Sequence, residues 1–102
     1  MLTHIVCFKY RPEISEDIRE DHRRRLAGLR NLPGVLELTV GGDVVRSARS
    51  FDTGLIITFH DVAALRAYAV DPSHVPVAQW FYASKTTRWD YSATHNAQVP
   101  YN

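Results

Sequence analysis

Apolar and polar residues alternate in some segments of the chain and recur at a spacing of three or four in others. Alternation in a short segment rich in β-branched and aromatic residues predicts a strand, whereas the longer spacing predicts a helix. Strands are predicted at residues 2–10, 35–40, 53–59 and 85–91. Helices are predicted at residues 15–32, from residue 61 and, as a short piece, after residue 76.

Polar residues and prolines mark where the predicted helices begin and end. Ser15 and Asp61 are predicted N-caps, because their side chains can accept hydrogen bonds from the first backbone N–H groups of a helix. The first helix is expected to end at Pro33-Gly34. The second is expected to end at Asp71-Pro72, since the residue before a proline disfavours helical backbone angles.

The order strand, helix, strand, strand, helix, strand predicts an α+β, ferredoxin-like βαββαβ fold with a four-stranded antiparallel sheet and its helices on one side. The other face of this sheet also carries apolar residues, which are unfavourable to expose. We therefore expect a homodimer that forms through the open sheet face as a dimeric α/β barrel. The enclosed space would be lined by residues such as His4, Val6 and Phe8 and would suit a small apolar or aromatic ligand.

Composition and charge narrow the possible classes of function. A chain of 102 residues has the length of one domain. Its 12 Lys and Arg against 11 Asp and Glu leave a net charge of +1, so nucleic acid is not an expected partner. No segment approaches the about 20 apolar residues that span a bilayer, so no membrane partner is expected. A single cysteine, Cys7, makes an internal disulfide impossible, and a cytoplasmic location is the default expectation.

Candidate chemistry is concentrated where the second helix breaks. Tyr68 precedes Asp71-Pro72 and His74 follows it, so a phenol and an imidazole are expected to lie close together. The histidines show neither HxH nor HExxH spacing, and no CxxC motif is present, so no metal or other cofactor is expected. His22, on the basic first helix, is expected to be a partly exposed helix residue.

Four segments carry a resemblance to a known family. They are THIVCFKY at residues 3–10, RSFDTGLIITFHD at 49–61, DPSHVPV at 71–77 and WDY at 89–91. In this order they resemble the stress-responsive α/β-barrel (Dabb) family, one of the dimeric α+β barrels. The resemblance covers nearly all of residues 1–91, taken here as the Dabb domain. It implies a homodimer of ferredoxin-like protomers, with a pocket either between sheet and helices or in the dimer barrel. Residues 92–102 fall outside it and are expected to form an extended C-terminal tail.

One branch of this family implies specific roles for individual residues. These plant cyclases, of the olivetolic acid type, close linear polyketides by a cofactor-free aldol condensation. They use a histidine after the proline corner as the base and a tyrosine on the preceding helix, which His74 and Tyr68 match; His4 matches a pocket histidine of the first strand. This chain has Asp71 where the cyclases have a further histidine. The predicted ligand pocket consists of Val6, Phe8, Trp80 and Phe81.

Three hypotheses about function follow. The first is a small-molecule-binding dimer of the stress-responsive type, with no established turnover. The second is a cofactor-free polyketide cyclase, lyase or isomerase, in which a neutral His74 imidazole removes a proton and the Tyr68 phenol donates a hydrogen bond to the enolate. The third is a cofactorless monooxygenase, for which Trp80 and Trp89 are the available tryptophans. Structural roles compete with all three: Tyr68 as a core aromatic and His74 as a cap on the helix-breaking corner. A cavity beside these side chains would favour an enzyme, and tight packing would favour binding or structure.

Overall fold

The structure is a computed structural model that describes residues 1–83 and 87–94, without the side chains of residues 80–83, 87 and 89. Its elements, in chain order, are β1 (Leu2–Lys9), α1 (Glu16–Ala27), a short 3-10 helix (Gly28–Asn31), β2 (Val35–Gly42), β3 (Thr53–Phe59), α2 (Val62–Ala69), α3 (Val75–Ala83) and β4 (Thr87–Thr94). No helix in these ranges is both long enough and apolar enough to cross a membrane.

The four strands form one sheet in the order β2-β3-β1-β4, and every neighbouring pair is antiparallel. This topology confirms the predicted ferredoxin-like fold. β3 has the predicted bounds, and the side chain of Asp61 caps α2 by accepting a hydrogen bond from Ala64 N at 2.8 Å. β4 is longer than predicted: Ser92–Thr94 pair with β1, so the strand extends into the segment expected to be a tail. Residues 95–102 lie outside the described residues.

The core lies between one face of the sheet and the helices. Alternate residues of β1 are buried there, because the apolar stripes of α1 and α2 cover this face. The expectation that His4, Val6 and Phe8 line the space between two sheets is therefore wrong, since all three side chains lie on the helix side. Period-two alternation separates the two sets of side chains, but it does not say which set the helices cover. Val6 and Phe8 belong to a hydrophobic core cluster that also contains Leu26, Leu55, Ile57, Phe59 and Tyr68.

Candidate active site

The turn between α2 and α3 places the side chain of His74 beside the end of α2. The Asp71 side chain accepts a hydrogen bond from Ser73 N at 2.8 Å. The Asp71 carbonyl accepts bonds from His74 N at 2.9 Å and from Val75 N at 3.1 Å. These bonds close a tight turn that leads directly into α3. Asp71 thus has a clear structural role at the position where the plant cyclases have a histidine.

His74 and Tyr68 are in contact, as the sequence predicts. Their ring centroids are 4.3 Å apart, with an angle of 37° between the planes. The Nδ1 atom of His74 lies 3.2 Å from the carbonyl oxygen of Ala69. Because a carbonyl oxygen can only accept, Nδ1 carries the hydrogen in this contact and Nε2 keeps its lone pair. The same bond satisfies a carbonyl at the end of α2, so His74 both caps the helix and presents a potential base.

Burial keeps both side chains neutral near pH 7. It lowers the pKa of His74 below its ordinary value of 6.5, with a smaller contribution from the positive charge of Arg88 and an opposing one from the Ala69 hydrogen bond. Burial raises the pKa of Tyr68 to about 12, although Arg88 partly opposes this shift. At neutral pH the pair therefore combines an imidazole that can accept a proton with a phenol that can donate a hydrogen bond.

His4 completes a group of three neutral polar side chains. Its Nδ1 atom is 2.6 Å from the Ser92 hydroxyl, which belongs to the part of β4 beyond the predicted strand. Burial lowers the pKa of His4, and the carboxylate of Asp90 partly opposes the shift. His4 lies in the same lining as Tyr68 and His74. The structure therefore brings together the three residues predicted to be catalytic.

These side chains surround a cavity of about 10 Å³, which is room for about one water molecule. The residues expected in the site are thus packed in this state, and the cavity has no room for a larger ligand. Of the predicted pocket residues, Val6 and Phe8 line the cavity, whereas the side chains of Trp80 and Phe81 lie outside the described residues. The rest of the lining consists of His4, His22, Leu26, Leu55, Tyr68, His74, Val77, Ala78 and Arg88.

Arg88 lies at this cavity, a position that the sequence pattern does not predict. Arg88 pairs with Phe8 across the β1–β4 ladder, and its guanidinium carbon is 5.9 Å from the centre of the Phe8 ring. Its Nε donates a hydrogen bond to Asp90 Oδ1 at 2.8 Å. Alternation in β4 separates Arg88 and Asp90 from the apolar set, but only the fold shows that the Arg88 side chain reaches the helix side.

His22 also lines the cavity, and the expectation that it is partly exposed is wrong. Its exposed fraction is 0%, and its Nδ1 is hydrogen-bonded to the hydroxyl of Tyr10 at 2.6 Å. Burial, with the charges of Arg23 and Arg25, lowers the pKa of His22 to about 4. The spacing of four that relates His22 to Ile18 and Leu26 was the available signal, because it places the imidazole on the apolar stripe of α1.

The fold and the cavity define a ferredoxin-like α+β domain with a candidate small-molecule site between sheet and helices. The model of the Stress responsive A/B Barrel Domain (Dabb) matches residues 2–92, so the chain belongs to this family. This confirms the resemblance carried by its sequence segments. No curated protein sequence matched the chain.

Solved structures are similar over almost the whole chain. A dimeric ferredoxin-like protein from Thermobifida fusca is 19% identical with a TM-score of 0.82, covering 92% of this chain and 90% of that one. A second dimeric ferredoxin-like protein, from Jannaschia sp. CCS1, is 30% identical with a TM-score of 0.68 and coverages of 88% and 96%. A hydroxynitrile lyase from Passiflora edulis is 24% identical with a TM-score of 0.75 and coverages of 97% and 96%.

Proposed function

We propose that this protein is a homodimer that binds a small molecule in the cavity between its sheet and helices. The observation that carries the proposal is the convergence of a phenol donor, Tyr68, with two neutral imidazoles, His74 and His4, in an otherwise largely apolar lining. A few polar groups on apolar walls are typical of small-molecule sites, where they orient the ligand. Family membership supports the proposal, and a half-buried single cysteine, Cys7, agrees with a cytoplasmic location.

Binding requires the cavity to expand from the size of one water molecule. Val77 and Ala78 form the part of the lining that belongs to α3. α3 is a short helix that follows directly from the Asp71 corner. Displacement of α3 away from the sheet would open the site while leaving Tyr68 and His4 in place on α2 and β1.

The proposal is tested by titrating the protein with benzamide, a small neutral aromatic probe, and following the ring resonances of His4 and His74 by NMR. Val77→Ala enlarges the cavity and should strengthen binding, whereas Ala78→Phe fills it and should weaken binding by about tenfold or more. Gln79→Phe is the matched control, because it adds the same side chain at an exposed position of the same helix. Circular dichroism verifies that each variant is folded.

Two results would contradict the proposal. One is that benzamide leaves both histidine resonances unchanged in the wild type and in Val77→Ala. The other is that Ala78→Phe and Gln79→Phe weaken binding equally, which would place the probe outside the cavity.

A second candidate function is cofactor-free acid–base catalysis on a carbonyl substrate, either an aldol-type ring closure of a polyketide or a lyase or isomerase reaction. The hydrogen bond from His74 Nδ1 to Ala69 favours it, because it leaves Nε2 as the potential base beside the Tyr68 phenol. In the reaction, Nε2 would take a proton from the carbon next to the carbonyl, and Tyr68 would donate a hydrogen bond to the enolate oxygen. A hydroxynitrile lyase has a similar fold, which supports a lyase reaction as one form of this second candidate.

Catalysis is tested by measuring the turnover of a linear poly-β-keto thioester by wild type, His74→Gln and Tyr68→Phe. General acid–base catalysis contributes about 10²–10⁴-fold, so His74→Gln should lose at least about 100-fold in kcat. Because the pKa of His74 is lowered, the midpoint of the acidic loss of wild-type turnover should lie below the ordinary imidazole pKa of 6.5. A folded His74→Gln protein with full turnover would exclude His74 as the base.

A further inference from the structure

We propose that Arg88 makes this cavity selective for an anionic ligand, a carboxylate with an apolar body, whose carboxylate binds the terminal nitrogens of the guanidinium. The inference rests on the proposed function, because it names the class of ligand that the same cavity takes. It assigns Arg88 as the residue that determines specificity, beside Tyr68 and His74.

Arg88 is held at the cavity by the sheet. It lies opposite Phe8 in the antiparallel β1–β4 ladder, and Asp90 lies opposite Val6. Only 20% of the Arg88 side chain is exposed, and its guanidinium lies over the Phe8 ring. A cation above an aromatic face is stabilised by the ring quadrupole. The position of the charge is therefore fixed by strand register and by a core side chain.

The hydrogen bond that Arg88 makes leaves the outer edge of its guanidinium, with the two terminal nitrogens, available to a ligand. Nε donates to Asp90 Oδ1 at 2.8 Å. Within residues 1–83 and 87–94, neither terminal nitrogen of the guanidinium has a hydrogen-bond partner. These two nitrogens form a planar fork that matches the two oxygens of a carboxylate. The ion pair with Asp90 thus orients the guanidinium without using the donors that a ligand would need.

The charge of the cavity also favours an anion. Among the described lining residues, Arg88 is the one with a permanent charge, and burial keeps His4, His22 and His74 neutral near pH 7. The nearby carboxylate of Asp90 is about half exposed, so water screens it more than it screens the guanidinium. The positive charge of Arg88 disfavours protonation of the His74 imidazole and partly opposes the raised pKa of Tyr68, whereas at His4 the carboxylate of Asp90 has a larger effect on the pKa than Arg88.

The experiment compares benzoate with benzamide, which have the same ring and nearly the same shape but differ in charge. Affinities are measured by calorimetry and by the His4 and His74 resonances in wild type, Arg88→Gln, Arg88→Lys and Arg66→Gln. Arg66 is exposed on α2, so its substitution removes the same charge away from the cavity. Wild type should bind benzoate about tenfold or more tightly than benzamide. Arg88→Gln should abolish this preference, so that benzoate and benzamide bind with about equal affinity, and Arg66→Gln should retain it.

Arg88→Lys and one further variant, Asp90→Asn, sharpen the test. Arg88→Lys keeps the positive charge but not the planar guanidinium, so it should retain only part of the preference for benzoate over benzamide. If Arg88→Gln does not fold, Arg88→Lys still tests the role of the guanidinium. Asp90→Asn keeps an amide oxygen that can accept the hydrogen bond from Arg88 Nε but removes the negative charge, so it should strengthen benzoate binding.

Equal binding of benzoate and benzamide in the wild type would overturn the role of Arg88 while leaving the cavity as a binding site. An equal loss of preference in Arg66→Gln and Arg88→Gln would overturn it as well, because a general charge effect would then be sufficient. If neither probe perturbs the His4 and His74 resonances, the proposed function itself is wrong, and this inference fails with it.

Discussion

The imidazole of His22 belongs to a buried polar cluster that joins α1 to the sheet. Its Nδ1 is hydrogen-bonded to the Tyr10 hydroxyl at 2.6 Å, and that hydroxyl also donates to Thr53 Oγ1 at 3.0 Å. Arg23 Nε donates to the same Thr53 oxygen at 2.9 Å. A proton added to His22 would create a buried positive charge near the guanidinium of Arg23, and this is unfavourable. The cluster is therefore stable only while His22 is neutral.

This dependence predicts a loss of stability in acid. The ordinary pKa of 6.5 applies in the unfolded chain, whereas the folded value is about 4. Below pH 6.5 the unfolded state therefore takes up a proton that the folded state resists, and the free energy of unfolding falls as the pH falls. Between pH 7 and pH 4 this amounts to about 3 kcal/mol. Urea unfolding gives the free energy of unfolding of wild type and His22→Asn at pH 7 and at pH 4. The contribution of His22 is the difference between the two proteins in how far this free energy falls.

Asparagine at position 22 can keep a hydrogen bond to Tyr10 but does not titrate, so His22→Asn should show the weaker pH dependence. His60→Asn is the control, because His60 is exposed at the end of β3. Equal pH dependence of wild type and His22→Asn would contradict the prediction. So would an equal reduction of that dependence in His60→Asn.

At the scale of elements, α2 packs closely against the turn that leads into β2. Gly34 has a φ of +85°, a conformation that side chains disfavour, and a Cβ built on it would lie 2.9 Å from the Cβ of Ala64 in α2. The missing side chain thus permits both the turn and the close approach of the helix. Since α2 carries Tyr68, this contact contributes to the placement of the candidate site.

Gly34→Ala should therefore lower the free energy of unfolding by about 2–4 kcal/mol, through the positive φ and the collision with Ala64. Ala64→Gly alone should cost about 1 kcal/mol, because glycine is a poor helix former. The double variant should be less destabilised than the sum of the two, since the collision is relieved. Gly28→Ala is the control: Gly28 has helical angles, and a methyl group there would meet open space, so its substitution should cost little. Strict additivity in urea unfolding would contradict a direct contact.

Local patterns were sufficient to predict several of these elements. The bounds of β3, the Asp61 cap and the contact between Tyr68 and His74 depend on neighbouring residues, so the sequence contains their signals. The side of the sheet on which His4 lies could not be predicted from neighbouring residues in the same way. It depends on which face the helices cover, and β1 has apolar residues on both faces. The position of Arg88 at the cavity depends on the same choice and on the pairing of two strands far apart in the sequence.

At the scale of the whole molecule, the open face of the sheet carries an apolar row across its centre. Ile5 pairs with Ile56 on one side and with Tyr91 on the other, and Thr39 pairs with Ile56. Ile56 is 46% exposed and Tyr91 is 52% exposed. A groove of about 540 Å³ follows this face beside Cys7. A second copy of the chain would cover such a row, as expected if this protein is dimeric like the structures from Thermobifida fusca and Jannaschia.

The dimer is tested by placing a charge in the middle of this row. Ile56→Glu should raise the dissociation constant of the dimer by about 100-fold or more, because association would bury a carboxylate without a partner. Val70→Glu is the control, since Val70 is an exposed residue of the same apolar type at the end of α2, in the helical layer. Light scattering over a range of concentrations should give twice the chain mass for wild type and Val70→Glu, and a mass near 11.6 kDa for Ile56→Glu. A wild-type mass near 11.6 kDa at micromolar concentration would exclude the dimer. A dimeric Ile56→Glu protein would instead show that the subunits meet elsewhere.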